Sequence, residues 1–423
     1  MGMRTANTLI NSCSLCGLCA EVCPTSLDMA SVMTDARRTM VEQKRMPPSA
    51  HDFALRDMLF ANSESCTFCS TAPGKDTCSY LFFPGCQLSA TAPEHVEKTH
   101  ALLRDTFSAD MGLMLRCCGA PSLWAGRDDL LRQSLDEFSA QHSRMGKPVL
   151  ILACPSCSLV FRREMPDIKT VSLWEMLAES GSIPDATPER RKVLSIHDPC
   201  SARHDARLHE SVRSIVKRIG CAVEELSLSR QKTTCCSFGG LMWFANTKLA
   251  REVIDRRIRE STNDYLTYCS MCRDLFATQG KRCLHLLDLL FENDLSGRST
   301  RACPGWSQRH ENRVRLKHRL HTTIRGEIMT EDACEHEPKL LIAADVMEVL
   351  EKRFILVEDI RQVIAQAEQT GRKLLNSETG RTLAYHRLGY VTCWVEYSPA
   401  SDGAFTIHNA YSHRMEIVEG GRS

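Results

Sequence analysis

The sequence predicts an α/β fold built on a duplicated parallel-sheet unit, and three observations carry that prediction. A five-cysteine pattern occurs twice in the same order: Cys86, Cys117-Cys118 and Cys154-Pro-Ser-Cys157, then Cys200, Cys235-Cys236 and Cys269-Ser-Met-Cys272. The copies are offset by 114, 118 and 115 residues at their three anchor points, which marks an internal repeat. Apolar runs at 149–154 and 265–269 lead into the closing pairs and read as buried strands. Helical patterns recur at matching places, 93–107 with 206–219, 127–145 with 246–262, and 171–179 with 284–292. Strands alternating with helices form a parallel sheet, and such sheets hold ligands beyond the carboxyl ends of their strands, where each CxxC falls.

Ahead of the repeats, residues 13–24 read Cys-Ser-Leu-Cys-Gly-Leu-Cys-Ala-Glu-Val-Cys-Pro, the spacing of a bacterial ferredoxin run. Cys13, Cys16 and Cys19 then serve one cubane and Cys23 another. A second run begins at Cys66-Thr-Phe-Cys69 but lacks its third cysteine, and the next is Cys78. Seven cysteines therefore stand where two cubanes need eight. One assignment joins Cys78 to Cys13, Cys16 and Cys19, leaving Cys23, Cys66 and Cys69 on the other cluster. The incomplete cluster would be three-iron, would recruit Asp76, or would be absent. Helical patterns at 26–43 and 53–62 separate the runs, with a Pro-containing linker at 46–49.

Five thiols per repeat exceed the four of an ordinary cubane, which suits a bridging or rearranged iron-sulfur cluster. The alternative is structural zinc, which takes four ligands and leaves one of each adjacent pair unused. Near the second set, His197, Asp198 and His204 are placed to hydrogen-bond cluster sulfurs. The plainer reading makes His197 a satisfied strand-end histidine and Asp198 a turn cap. Trp124 and Trp243 occupy equivalent positions and read as core. Cys221, Cys283, Cys303, Cys334 and Cys393 lie outside every motif and read as small buried hydrophobes.

Past the repeats, 298–325 is basic, with eight Arg and Lys against Glu311 alone. Without interleaved aromatics this is a solvated connecting helix or a dock for an acidic partner, not a nucleic-acid site. From about 330 the pattern changes: Val357, Ile360, Val363, Ile364 and Ala367 mark a helix face ended by Gly371, and 391–397 and 404–409 form a hairpin. His386, Cys393, His408 and His413 match no zinc spacing, so interaction or oligomerisation is the expected role.

The formal net charge of +1 gives no bulk attraction to nucleic acid or acidic membranes. No apolar run approaches the roughly 18 residues of a membrane span. Residues 1–10 lack the apolar core of a signal peptide, so the 22 cysteines are expected to be reduced, metal-binding thiols in a cytoplasm.

The phrases Phe83-Pro-Gly-Cys86, Cys117-Cys118-Gly119, His197-Asp-Pro-Cys200 and a CxxC after a strand resemble the tandem CCG domains of the catalytic polypeptide of heterodisulfide reductase. Related proteins are the iron-sulfur components of anaerobic glycerol-3-phosphate dehydrogenase and glycolate oxidase. The resemblance covers residues 1–295, and Ser237 stands where the motif has Gly. It implies an N-terminal α-helical ferredoxin domain at 1–79 and two Rossmann-like CCG domains at 80–185 and 186–297. The remaining residues divide into a basic linker at 298–329 and a small α+β domain at 330–423. It further implies two noncubane 4Fe-4S clusters facing a shared gap, where a disulfide is reduced at the clusters with no catalytic side chain. Electrons would come from a flavoprotein or ferredoxin in a larger complex, peripheral to a membrane only through a partner. The rival is an electron relay, passing electrons from a flavin-dependent dehydrogenase to a carrier or quinone.

Overall fold

The computed structural model describes residues 3–47, 50–108, 110–183, 191–327 and 338–415. Cys334 lies outside the described residues. The chain divides into two compact units, Met1–Pro304 with Glu311–Ile328, and Gly305–His310 with Met329–Ser423.

Two sheets form in the first unit, their central strands apolar and buried on both faces and the edge run Ala222–Glu225 largely exposed. One contains β1 (Phe68–Ser70), β2 (Tyr80–Phe83), β3 (Met111–Leu115), β4 (Val149–Leu152) and β5 (Thr170–Ser172), in the order β1-β3-β2-β4-β5. Only β1 is antiparallel. The other contains β6 (Val193–Ile196), β7 (Ala222–Glu225), β8 (Asp264–Thr267) and β9 (Cys283–His285), in the order β7-β6-β8-β9, all parallel. Counted from each repeat's own first strand, both sheets run 2-1-3-4, so the duplicated sequence folds into duplicated topology.

Side chains alternate across β2. Leu81 and Phe83 pack with Phe138 and Phe161 on one face, where the Phe83 and Phe161 rings meet edge to face at 5.3 Å. Phe82 enters a core on the other face that also holds Ile151, Val212, Leu266 and Leu284, from both repeats. Burying each such side chain contributes about 2 kcal/mol, and the shared core makes the repeats one body.

The helices lie where the periodicity predicts them: Pro93–Thr106 with Ala206–Arg218, Asp128–Arg144 with Thr247–Ile258, and Leu173–Ser180 with Leu286–Phe291. Helices Met29–Glu42 and Asp52–Ala61 form the N-terminal part. The residues before the repeats are not a separate body. Ala54, Leu55 and Met58 share a core with Cys117, Ala125 and Leu241, and β1 is an edge strand of the first sheet.

The basic segment is not a solvated connector. Arg313 is 2% exposed and pairs with Asp57 at 2.6 Å, Nζ of Lys317 donates to the carbonyl of Glu64, and Arg319 pairs with Glu97 at 2.9 Å. Its cations neutralise carboxylates and carbonyls of the N-terminal part and first repeat. No helix among the described residues is long and apolar enough to cross a membrane.

The second unit holds more than the expected hairpin. Strands β10 (Leu340–Ile342), β11 (Leu374–Leu375), β12 (Thr382–Leu388), β13 (Val391–Pro399) and β14 (Phe405–His413) form a sheet ordered β10-β14-β13-β12-β11. Its inner face packs Ala384, Val395 and Ala410 against Ile360, Val363 and Ile364 of helix Val357–Thr370, which ends at the left-handed Gly371. Cys393 is buried beside His386 in register. His408 instead bonds Ser398, and His413 accepts from Trp394 Nε1 at 2.7 Å.

Candidate metal centre

All ten cysteines of the repeats lie in loops or helix starts beyond the carboxyl ends of β2, β3, β4, β6, β7 and β8. In each repeat the closing pair opens a helix, Pro155–Glu164 or Ser270–Thr278. Pro155 at the first helical position fixes the backbone where an N–H has no helical partner anyway.

Each set of five forms a chain of sulfur contacts. In the first, Cys86 meets Cys117, Cys118 meets Cys117 and Cys157, and Cys157 meets Cys154. In the second, Cys200 and Cys235 sulfurs are 3.9 Å apart, Cys236 and Cys272 sulfurs 3.1 Å apart, and Cys269 adjoins Cys272. Hydrogen bonds from Cys117 and Cys157 push the Cys118 thiol down to about 6, and those from Cys235 and Cys272 push Cys236 down to about 5. In both repeats the second cysteine of the adjacent pair is thus the one shifted toward the thiolate, the form that binds metal.

Different supports hold the two sets. Asp198 is no turn cap: it is completely buried and ties together the three loops of the second set. Its carboxylate accepts from Arg213 at 3.0 and 2.9 Å, from the Arg230 backbone N–H at 2.8 Å and from Tyr268 Oη at 3.0 Å. Thr233 Oγ1 donates to the Asp198 carbonyl at 2.7 Å. Burial opposes ionisation of Asp198, but the bonds and charge of Arg213 outweigh it and hold the carboxyl below its usual range.

In the first set Pro84 occupies the position equivalent to Asp198, and the support comes from outside the repeat. Arg313 donates to the Cys86 carbonyl at 3.1 Å while paired with Asp57, and the Asn62 side chain accepts from the Cys117 N–H at 2.9 Å. Sequence patterns give no signal for Asp57, Asn62 or Arg313, because their partners lie far away in the chain.

His197 is buried at the strand end as the plainer reading has it, but it is only half satisfied, because its Nε2 has no partner among the described residues. It is fully buried, accepts from Arg257 at Nδ1 and meets the Phe276 ring edge on at 4.7 Å. His204 is exposed beside Glu21. Trp124 meets Phe238 edge on at 6.1 Å, and Trp243 is buried. Of the lone cysteines, Cys221 and Cys283 are buried, and Cys303 contacts Thr278.

Cys13 lies in the field of Cys16 and Cys19, so three thiols of the N-terminal run gather as the ferredoxin spacing suggests, while Cys78 lies elsewhere. Cys16 contacts Cys235, and that contact is the largest cause raising its pKa. Gly240 makes the approach possible: at φ 61°, any Cβ there would stand 2.5 Å from the Ser14 carbonyl carbon. Arg203 bridges the two loops, donating to the carbonyls of Cys16 at 3.1 Å and Thr233 at 2.8 Å. Cys78 does not join Cys13, Cys16 and Cys19. β1 pairs with β3, which carries 66–78 onto the first repeat, and Cys78 lies in the field of Cys69 within that repeat's core. Burial lifts the Cys66 thiol to about 12 and those of Cys69 and Cys78 to about 11. Cys23 sits partly exposed with its sulfur 3.2 Å from Thr25 Oγ1.

A small cleft of about 60 Å³ opens on the first set. All five cysteines of that set line it, together with Cys269, Tyr268 and Phe238 of the second repeat. The gap is therefore shared unequally, since Cys200 and Cys235 face the N-terminal run instead.

The donor sets fit iron-sulfur clusters. Among the described residues no three His, Cys, Asp or Glu side chains close on the position of a single ion. Five thiols spread along a chain suit a multi-iron group better than one tetrahedral zinc. Backbone N–H groups of Leu15 and Ser237 point at the sulfurs of Cys13 and Cys235, at 3.4 and 3.2 Å. Arg37, fully buried, faces four carbonyls and no carboxylate, so an anionic group held by Cys13 would supply its counter-charge.

Ser237 adopts φ 71° where the equivalent Gly119 adopts φ 87°. A left-handed non-glycine residue costs about 1 kcal/mol, and the buried Ser237 hydroxyl has no partner. Ser237→Gly is expected to raise stability by about 1 kcal/mol, read from chemical denaturation under anaerobic conditions. A loss of stability would contradict this account.

The CCG cysteine-rich domain matches residues 80–162 and 194–276, and a 4Fe-4S dicluster domain matches 1–28. The chain is 22% identical to a component of the fumarate reductase (CoM/CoB) of Methanothermobacter marburgensis, over 67% of this chain and 62% of that protein. It is 20% identical to a component of the dihydromethanophenazine:CoB–CoM heterodisulfide reductase of Methanosarcina barkeri, over 62% and 71%. It is 22% identical to an EtfAB:quinone oxidoreductase of Syntrophomonas wolfei, over 63% and 42%. The matches span less than two thirds of the length of two of these three relatives. Together with the donor sets they assign 4Fe-4S clusters as the cofactors.

Proposed function

We propose that this iron-sulfur protein, which carries tandem CCG domains behind a 4Fe-4S dicluster domain and is homologous to components of heterodisulfide reductase and fumarate reductase, reduces a disulfide at its paired five-cysteine sets. The observation that carries this reading is the cleft, which opens on five thiols of one repeat and reaches Cys269 of the other. A relay holding a cluster on the same five cysteines needs that space as well, so what favours reduction is its reach to Cys269 of the other repeat.

In this reading Cys86, Cys117, Cys118, Cys154 and Cys157 hold one noncubane cluster, and Cys200, Cys235, Cys236, Cys269 and Cys272 the other. Cys13, Cys16 and Cys19 serve a ferredoxin-type group, and Cys66, Cys69 and Cys78 form a separate thiol patch on the first repeat. The bound clusters supply single electrons and sulfur-binding iron. The chain's own residues set the route: the Cys16 to Cys235 contact brings the input group against the second set, and Asp198 holds that set's loops. Two electrons and two protons convert R–S–S–R′ to RSH and R′SH. A flavoprotein or ferredoxin in a larger complex is the donor, in keeping with relatives named as parts of reductases.

The test uses anaerobically purified full chain. It is expected to carry iron and acid-labile sulfide rather than zinc, to change its paramagnetic signal when a thiol is added, and to reduce a disulfide with reduced viologen as donor. Cys117→Ala and Cys235→Ala should each abolish that reduction, while the N-terminal group still takes up electrons. Iron-loaded protein that shows neither thiol response nor disulfide reduction would establish the relay instead, with a flavoprotein partner oxidising the metabolite.

A further inference from the structure

In the thiol patch on the first repeat, Cys69 and Cys78 are joined by a thioether. Cys69 lies on β1 opposite Met114 of β3, and Cys78 leads into β2 on the other side of β3. Met145, at the end of helix Asp128–Arg144, completes the group. Its Sδ is 3.0 Å from the Cys69 Sγ, and its carbonyl accepts from the Cys78 N–H at 3.1 Å. Gly112 of β3 lies beneath them. A Cβ there would stand 2.7 Å from the Cys78 Sγ and 3.1 Å from the Met145 Cε, so glycine is what leaves these atoms room. Cys78 and Met145 are buried, and Cys69 packs against the same core. A groove of about 770 Å³ reaches Cys78 past Ser143, Gly146 and Lys147, and none of the cysteines of the two five-cysteine sets lines it.

The donor set decides what it can hold. A cubane needs four thiolates, and the third cysteine of this stretch, Cys66, lies instead among Arg313, Asp57 and Lys317. A disulfide tolerates about 7 Å between Cα atoms, whereas β1 and β2 stand two strand spacings apart, ~10 Å. Zinc takes four ligands from thiolate, imidazole and carboxylate. The carboxylate beside Cys78, that of Asp110, is already bonded to Lys75 at 3.1 Å and to Ser79 at 2.8 and 3.0 Å. Two thiolates and a thioether are soft donors of low coordination number, and such a set selects Cu(I).

The surroundings suit an anionic complex. Arg325, Arg116 and Arg144 all bear on Cys69. Arg116 is 3% exposed and bonds Glu137 and Gln141, yet its Nε is buried with no acceptor among the described residues. Two thiolates on a monovalent ion leave one net negative charge, which these cations offset.

We propose that Cys69, Cys78 and Met145 bind one Cu(I) ion, as two thiolates and a thioether, at a site separate from the two five-cysteine sets. Two thiols and one Cu(I) give the anionic dithiolate complex and release two protons. Copper stays monovalent throughout, so no oxidant or reductant enters. The bound ion ties the edge strand β1 to the start of β2 and to the end of the helix before Met145.

The experiment titrates the anaerobic, cluster-loaded full chain with Cu(I) against bathocuproine disulfonate, a chelator that competes for the ion and keeps free copper low. Wild type is expected to retain one copper per chain with no loss of iron, and X-ray absorption at the copper edge should show sulfur ligands alone. Cys69→Ser and Cys78→Ser should each weaken retention by at least about 100-fold, the upper end of what losing a mere hydrogen-bond partner of a ligand costs. Met145→Leu keeps the volume and removes one sulfur from the copper; it should weaken retention by about tenfold, the lower end of that range, and it provides the test should the cysteine variants not fold. Wild type that takes up no copper, or takes it up only as iron is lost, overturns the proposal. Copper held as tightly by the variants as by wild type overturns it too, since the ion then sits elsewhere.

Discussion

Arg37→Met is expected to unseat the N-terminal cysteine run. The guanidinium is fully buried and spends every N–H on a carbonyl: those of Trp124 and Gly240 at 2.7 Å, Cys13 at 2.7 Å and Ile10 at 2.9 and 3.3 Å. One side chain thus fastens the Cys13 loop to both repeats. Burial lowers its pKa to about 10, so it remains charged at neutral pH. Methionine fills much of the space but leaves four buried acceptors unbonded, a loss of about 4 kcal/mol at about 1 kcal/mol each. The readouts are iron per chain, which should fall by one cluster, and protease cleavage near residues 13–23, which should become fast. Arg37→Lys separates charge from geometry, because an ammonium keeps the charge yet cannot span the same carbonyls, and it should recover only part of the loss. Unchanged iron and unchanged proteolysis in Arg37→Met would remove this residue from the account.

Asp198→Asn is expected to cost about 3–5 kcal/mol, the range for removing one partner of a buried ion pair. Arg213, at 3% exposure, would keep Glu225 at 2.5 and 2.7 Å but lose the carboxylate that joins it to Tyr268 and to the Arg230 loop. These bonds converge on the loops of Cys200, Cys235 and Cys269, so the damage should be local. The paramagnetic signal of the second set should broaden or vanish while that of the first persists, and equal loss of both would mean simple unfolding. The pH dependence has a definite sign. A carboxyl held below its usual pKa contributes its full stability above about pH 4 and loses it only as pH falls through the folded value. The difference between wild type and Asp198→Asn in denaturant should therefore be constant from pH 7 to pH 5.

Local order was legible in the residues alone. The repeat, the strands before each CxxC, the six paired helices and the placement of ten cysteines beyond strand ends all follow from periodicity and spacing, which report what a chain does within about a dozen residues. The helix before Gly371 was legible for the same reason. Which thiols and charges meet was decided only by the tertiary structure. Ferredoxin spacing groups Cys78 with Cys13, yet the pairing of β1 with β3 carries Cys78 to Cys69. Cys16 reaches Cys235 because Gly240 leaves room for it, and the cations of 298–325 turn inward because Asp57 and Glu97 lie across the fold. The contacts of Cys16, Arg313 and Arg319 join residues more than two hundred positions apart. At that separation no local pattern records a partner, since the pairing follows from how whole sheets and helices pack.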